Sequence, residues 1–270
     1  MNQIVLITGA TSGFGKACAE KFAAAGYDLI ITGRRKDRLD ALAAELGARP
    51  APQAARFPDG PDPMVHSRIK VLPLVFDVQD KAAVFAAIGA LPAAWKKIDL
   101  LINNAGLALG RDFFDEASMD DWETMIDTNV KGLLYVSRAV IPFMVERNKG
   151  HIINMGSVAA KDIYEKGNVY CASKAAVDAI SKSMRIDLLQ HSIKVTAIHP
   201  GAAETEFSMV RFKGDEGLAN KIYEGFTPLS AEDVADAIFY CATLPAHVCI
   251  NDLTMTCTAQ ANAVYFHKKN

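Results

Sequence analysis

A chain of 270 residues, 50% hydrophobic and 22% charged, can bury a sizeable core as one open α/β unit, and this composition excludes a disordered chain or a disulfide-stapled miniature. With 29 basic and 31 acidic side chains the formal charge is only -2, so no global field draws the protein onto nucleic acid or an anionic membrane. Five cysteines without a C-x-x-C pair and six histidines without H-E-x-x-H give neither a disulfide framework nor a zinc site, so no metal is expected.

The longest apolar stretch, Ala82 to Trp95, holds Gly89 and Pro92 and falls short of the roughly 18 residues a spanning helix needs. The start of the chain enters a Val/Ile strand pattern at once, with no basic region before it and no cleavage site after it. Together with the unpaired cysteines this places the protein in the cytoplasm as an expectation, with small molecules rather than membranes as partners.

The chain opens with a strand Gln3 to Thr8, a Gly-rich turn, a helix Gly15 to Ala25 ended by Gly26, and a strand Leu29 to Thr32, which together make one βαβ unit. A helix Asp37 to Leu46 closed by Gly47 follows. Next comes Ala48 to Arg68, with Pro50, Pro52, Pro58, Pro61 and Pro63, much longer than the usual crossover loop of about 2 to 6 residues. It reads as a mobile surface excursion, either a cofactor lid or interface arm or, in the preferred reading, a tolerated insertion. The alternation then resumes with a strand Val71 to Phe76, a helix Lys81 to Ile88 and a strand Leu100 to Asn103. A long helix from about Asp120 to Glu146, a strand Ile152 to Met155, a long helix from about Val169 to Gln190 and a strand Val195 to His199 complete the pattern. Ser118 with Asp121, and Ser230 with Asp233, fit the S-x-x-D capping box and mark two helix starts. Parallel strands need helical crossovers and must be covered on both faces, so this order predicts a single-domain α/β fold, a doubly wound parallel sheet of Rossmann type.

The first turn reads Thr8-Gly9-Ala10-Thr11-Ser12-Gly13-Phe14-Gly15. Glycines at this place let the backbone approach a pyrophosphate held by free amides and the positive end of the helix dipole. A ligand-free tight turn would use the same residues, so the run gains meaning only from its companions. About 20 residues beyond, a dinucleotide site declares its preference through a carboxylate or a cation. Here stand Arg34 and Arg35 with no acid until Asp37, which predicts NADP(H) over NAD(H), because guanidinium forks match a 2′-phosphate.

Asn103-Asn104-Ala105-Gly106 ends the fourth strand, at the carboxyl edge where ligands of such sheets collect. Ser157 ends the fifth, and 13 positions later come Tyr170 and Lys174, one helical turn apart on one face. Reducing a carbonyl requires a proton donor, and a free tyrosine near pKa 10 is poorly matched to neutral pH. A neighbouring ammonium is expected to lower the phenol, and about three units would take roughly 4 kcal/mol of differential interaction. Cys171, the next residue on the helix, points about 100° away and reads as packing.

With T-G-x-x-x-G-x-G, N-N-A-G, Ser157, Y-x-x-x-K and Pro200-Gly201 in order, the sequence resembles the short-chain dehydrogenase/reductase family over nearly its whole length. That resemblance implies a catalytic tetrad of Asn129, Ser157, Tyr170 and Lys174. In it Asn129 holds a water linking Lys174 to solvent, Ser157 orients the carbonyl, Tyr170 is general acid or base, and Lys174 also grips the nicotinamide ribose. It further implies cofactor contacts from Gly9, Thr11, Ser12, Gly13, Phe14, Gly15, Asn103, Ala105 and Gly106, from Asp77 and Val78 at the adenine, and from Pro200, Gly201 and Thr205 over the nicotinamide amide. Longer runs, Asn104 to Gly110, Asp121 to Asn129, and Thr205 to Ser208 with Val210 to Gly214, are similar to the NADP-dependent 3-hydroxy acid dehydrogenases. That likeness implies oxidation of serine and related 3-hydroxy acids, or reduction of the semialdehydes, by a homotetramer. A 3-hydroxy acid carries a carboxylate, for which Arg211 is the candidate receiver; the competing role is a rim arginine packed on Phe212 or paired with Glu206. A broad carbonyl reductase and a non-catalytic NADP-sensing protein on the same fold stay open as alternatives.

Overall fold

The computed structural model describes residues 2–49 and 68–269, so most of the Pro-rich stretch Ala48 to Arg68, with its expected mobility, lies outside the described residues. Seven strands form one all-parallel sheet: β1 (Ile4–Ile7), β2 (Asp28–Gly33), β3 (Val71–Val75), β4 (Ile98–Asn103), β5 (Gly150–Met155), β6 (Ile193–Pro200) and β7 (Asp252–Met255), in the spatial order β3-β2-β1-β4-β5-β6-β7. Nine helices are described: α1 (Gly13–Ala24), α2 (Lys36–Ala48), α3 (Lys81–Gly89), α4 (Met119–Ile126), α5 (Leu133–Arg147), α6 (Asn168–Asp187), α7 (Glu206–Arg211), α8 (Glu216–Lys221) and α9 (Ala231–Thr243).

Successive strand residues face opposite sides, and the core divides accordingly. Val5, Ile7, Leu29 and Ile31 pack with Phe22 of α1, Leu39 of α2 and Ile238 of α9. Ile4, Leu6, Ile30, Leu101 and Ile152 pack with Val84 of α3 and with Val136 and Val140 of α5 on the other side. β1 is therefore apolar throughout, and β4 is apolar apart from Asp99 and Asn103 near its ends, as strands covered on both faces require. The chain winds outward from β1 in both directions, so a crevice opens at the carboxyl ends of β1 and β4, where open α/β sheets hold ligands.

Three local readings change. The helix expected over Asp120 to Glu146 is two helices, α4 and α5, joined through a π-helical segment at Asp127–Gly132. At Ser118 only the bond from the Asp121 amide to the serine hydroxyl forms, whereas Ser230 and Asp233 make the complete capping box. Gly47 lies inside α2, which runs on to Ala48 rather than stopping before it.

Edge strand β3 contains Pro73, paired in register with Ile31 of β2. The Phe76 amide donates to Gly33 and the Lys70 carbonyl accepts from Leu29, so the even-numbered residues of β3 face β2. Pro73 therefore turns its donor-less nitrogen to the free edge and removes no bond from the sheet.

Candidate active site

Two clefts meet at the carboxyl edge of the sheet. The first, about 320 Å³, runs from the Gly-rich turn past the end of β2 to Tyr170 and Lys174. The second, about 370 Å³, lies between Ser157, Tyr164, Arg211 and the C-terminal segment. Phe14, Gly156, Tyr170, Thr205 and Phe207 border both.

The first cleft has the shape a dinucleotide requires. Gly9 and Gly13 hold φ of +66° and +49°, which side chains larger than glycine rarely adopt. At Gly15 a Cβ would stand 2.3 Å from the Gly9 carbonyl oxygen, so α1 can pack this tightly under the turn only with glycine there. Thr11, Ser12, Phe14, Asp77, Val78, Ala105 and Gly106 line the same cleft, together with Thr128 and Leu107, which lie in the longer runs noted above but were not among the expected cofactor contacts.

Asn103 requires correction. Its amide donates to Ser137 and Asn154, both at 2.9 Å, and it is buried beneath the crevice instead of lining it. The partner that lines the cleft is the half-buried Asn104, whose amide donates to the carbonyls of Thr8 at 2.9 Å and Gly9 at 3.2 Å and so ties β4 to the Gly-rich turn. Two adjacent asparagines at a strand end alternate between sheet interior and cleft, and the motif alone does not say which is which.

Both predicted arginines reach the cleft. Arg34 pairs with Asp77 at 3.4 Å, and Arg35 donates to the hydroxyls of Thr11 at 2.8 Å and Ser12 at 3.2 Å. Arg35 is also the N-cap of α2, where a cation opposes the positive dipole end. Glu206, the first residue of α7, offsets this: its carboxylate accepts from Arg35 at 3.2 Å and from Arg38 at 2.9 Å. Arg38 and Glu206 were not found from motifs, although Arg38 lies three residues past Arg35 on the same helix and so on the same face.

The tetrad residues converge from three places: the π-helical segment, the end of β5 and α6. Asn129 sits in the π-helical segment, where its Oδ1 accepts from the Leu107 amide at 2.8 Å while its Nδ2 donates to the Leu107 carbonyl at 2.8 Å and to Ser173 at 3.0 Å. Both amide hydrogens are thus committed, and the side chain clamps the loop after β4. Lys174, buried, donates to the Met155 carbonyl at 2.8 Å, with its ammonium 6.0 Å from the centre of the Tyr170 ring. Burial depresses that ammonium to about 8.

The Tyr170 phenol behaves differently from the expectation. Burial, then the neighbouring Tyr164, push it above its ordinary value, while the Ser157 hydroxyl and Arg211 pull it down by less. Arg211 also lies over the phenol ring, 5.5 Å from its centre against 6.0 Å for the Lys174 ammonium.

Arg211 is buried, contrary to a rim placement. Its Nη1 donates to the Tyr164 hydroxyl at 3.0 Å and its Nε to the Gly110 carbonyl at 3.3 Å, and it neither pairs with Glu206 nor lies outside the second cleft. Arg111 stands over the Tyr164 ring from another side, 5.9 Å from its centre, and also lines this cleft, as does Lys268. Pro200 and Gly201 border the same space; a Cβ on Gly201 would stand 2.1 Å from the Gln260 side-chain oxygen, which accepts from the Ala202 amide at 2.8 Å.

Beneath Ser157 lies a charged cluster that no motif announced. His199, fully buried, faces both the amide and the carbonyl of Ser157 through Nδ1, at 3.3 and 3.1 Å. Its Nε2 points toward Asp178 and Asp252, and Lys161 donates to both carboxylates. Among the described residues this is the one group of three with the spacing of metal ligands, and the Lys161 ammonium already lies between its acids.

The comparisons agree with this geometry. The short chain dehydrogenase family model matches residues 3–59 and 63–216. An NADP-dependent 3-hydroxy acid dehydrogenase of Escherichia coli K12 is 48% identical over 261 residues, covering 96% of this chain and 97% of that protein. Sulfoacetaldehyde reductase 2 of Chromohalobacter salexigens is 47% identical over 262 residues, covering 97% and 96%. Among solved structures, the closed form of a serine dehydrogenase complexed with NADP+ superposes with a TM-score of 0.86 at 46% identity, covering 99% of this chain and all 100% of that one. The fold, the two joined clefts and these matches together make this chain a member of the short-chain dehydrogenase family.

Proposed function

We propose that the chain is an oxidoreductase that passes a hydride between NADP(H) and the hydroxyl or carbonyl of a small 3-hydroxy acid such as serine, 3-hydroxyisobutyrate or 3-hydroxypropionate. The observation that carries this reading is the position of Tyr170 at the junction of the two clefts, with Lys174 on the Gly-rich side and Ser157 and Arg211 on the other. The relatives named for 3-hydroxy acids and serine, and the NADP+ in the solved serine dehydrogenase, support it.

NADP(H), when bound, supplies or takes up the hydride. The chain holds it through the glycine cradle and the arginines at the end of β2, and Lys174 orients its ribose. Tyr170 gives its hydroxyl proton to the carbonyl oxygen in reduction and takes it back in oxidation. Ser157 donates to the same oxygen and fixes its place, while Asn129 acts as a positioning residue through its clamp on Leu107. Arg211, together with Arg111, receives the substrate's anionic end in a cleft that is otherwise largely apolar and aromatic.

A second reading follows from that last point. Guanidinium groups accept a sulfonate as readily as a carboxylate, and one group of relatives is named for sulfoacetaldehyde. NADP+ reduction with L-serine, D-serine, 3-hydroxyisobutyrate, 3-hydroxypropionate and 2-hydroxyethanesulfonate separates the two. Activity equal on neutral ketones and diketones would replace both with a broad carbonyl reductase. Tyr170→Phe tests the catalytic role itself: turnover is expected to fall by about 100-fold or more while NADPH affinity holds within about threefold. A variant that turns over normally would remove Tyr170 from the chemistry, and a wild type with no turnover on any of these compounds would leave only a nucleotide-binding protein.

A further inference from the structure

Glu206 occupies an unusual position. It opens α7, and its two carboxylate oxygens span the guanidinium groups of Arg35 and Arg38 at 2.9 to 3.2 Å. Arg35 also donates, through Nη2, to Thr11 and Ser12, the hydroxyls of the Gly-rich turn. A carboxylate bridging two guanidiniums at a strand end presents the same sign of charge as a bound phosphate monoester, and less of it. The segment it begins is not remote from the chemistry. Phe207 lies 5.7 Å from the Tyr170 ring, and Arg211, at the other end of α7, bonds to Gly110 and Tyr164 over the second cleft.

Resting on the NADP(H) reading above, we propose that Glu206 is an internal surrogate for the cofactor's 2′-phosphate. It competes with that phosphate for Arg35 and Arg38, so that binding the 2′-phosphate releases the first turn of α7 and couples cofactor choice to the cover of the substrate cleft. Arg38 is then the second guanidinium of the 2′-phosphate site, beside Arg35. The dianion outcompetes the carboxylate by charge, and the partly exposed pairs, with side chains about half accessible, can exchange partners at modest cost. A cofactor without the 2′-phosphate does not contest this contact, so Glu206 lowers the affinity for NADP(H) and leaves that for NAD(H) unchanged. Affinity for the phosphate is lowered by the share of molecules in which Glu206 holds the arginines.

The test uses the whole protein with 2′,5′-ADP and 5′-ADP, which carry the adenosine end without the nicotinamide, and reads binding by calorimetry. Wild type is expected to prefer 2′,5′-ADP. Glu206→Gln should tighten 2′,5′-ADP by about threefold to tenfold and move 5′-ADP by less than about twofold. Glu204→Gln, with the same charge change two residues earlier, should move neither by more than about twofold. Arg38→Ala should weaken 2′,5′-ADP by about tenfold. In wild type, 2′,5′-ADP should also speed amide hydrogen exchange in residues 206–211, and in Glu206→Gln it should not. Unchanged or weaker binding of 2′,5′-ADP by Glu206→Gln overturns the competition, since the carboxylate would then be neutral or would be organising the arginines. A wild type that binds both nucleotides equally refutes the NADP(H) reading and this proposal with it, whereas preference without a Glu206 effect refutes this proposal alone.

Discussion

Lys174 is destabilising where it stands. Burial lowers its pKa from 10.5 to about 8, so the folded protein holds that proton less tightly than the unfolded chain does. Below about pH 8 the full penalty is present; between about 8 and 10.5 the unfolded state binds more protons, and stability rises with pH through that window. Lys174→Met, similar in length and without charge, is therefore expected to gain about 1–3 kcal/mol at pH 7 in urea unfolding while abolishing turnover, and to flatten the rise between pH 8 and 10.5. The residue pattern Y-x-x-x-K revealed which side chains meet, because helical spacing is local. It did not reveal the direction of the Tyr170 shift, in which burial and the charge of the neighbouring Tyr164 outweigh the opposing pull of Ser157 and of Arg211, a residue 41 positions further along the chain. Arg211→Ala should raise KM for an acid substrate by about tenfold or more with little change in affinity for 2′,5′-ADP, a split that steady-state kinetics and calorimetry would show.

At the scale of elements, the π-helical segment Asp127–Gly132 does what an unbroken helix would not. It packs Gly132 against Val78, a lining residue of the first cleft, so closely that a Cβ would stand 2.8 Å from the valine Cγ2. Alanine normally favours a helix by about 1 kcal/mol over glycine, but overpacking here is expected to cost about 1–3 kcal/mol, and the second effect wins. Gly132→Ala should accordingly lower the urea midpoint and weaken dinucleotide binding severalfold. The sequence pattern for residues 120–146 is helical throughout and carries no mark of the π turn, since the extra residue is accommodated by contacts with Val78, Leu107 and Ser173 from elsewhere in the chain. Strands β1, β2 and β4 and their intervening helices were legible because the strands are strongly apolar and glycines punctuate the turns between them. The short elements β7, α7 and α8, four to six residues each, have too little periodicity to be seen, and tertiary pairing decides them. The start of α9 was legible from the Ser230–Asp233 box alone.

For the molecule as a whole, the doubly wound topology followed from the alternation of strand and helix, but the closure of the substrate cleft did not. Residues 260–268 return to it after β7: Gln260 fixes Ala202, while Phe266 stacks on Phe226 and lines the cleft with Lys268. These residues carry no motif, and their role is set by where β7 leaves them. Truncation after Thr258 is expected to raise KM for acid substrates while leaving 2′,5′-ADP affinity within about threefold, because the first cleft draws no lining from this segment. Among the described residues, no helix is long and apolar enough to cross a membrane.

The sheet also ends in a deliberate way. Parallel edges offer rows of donors and acceptors that invite a foreign strand, and edge strand β3 removes its central outward donor by placing Pro73 there. Recruitment of another chain along that side would leave an acceptor unanswered at the middle of the new ladder. The same residue that makes β3 a slightly poorer strand thus acts as a guard against fibrillar self-association during synthesis and refolding, when the edge is first laid bare.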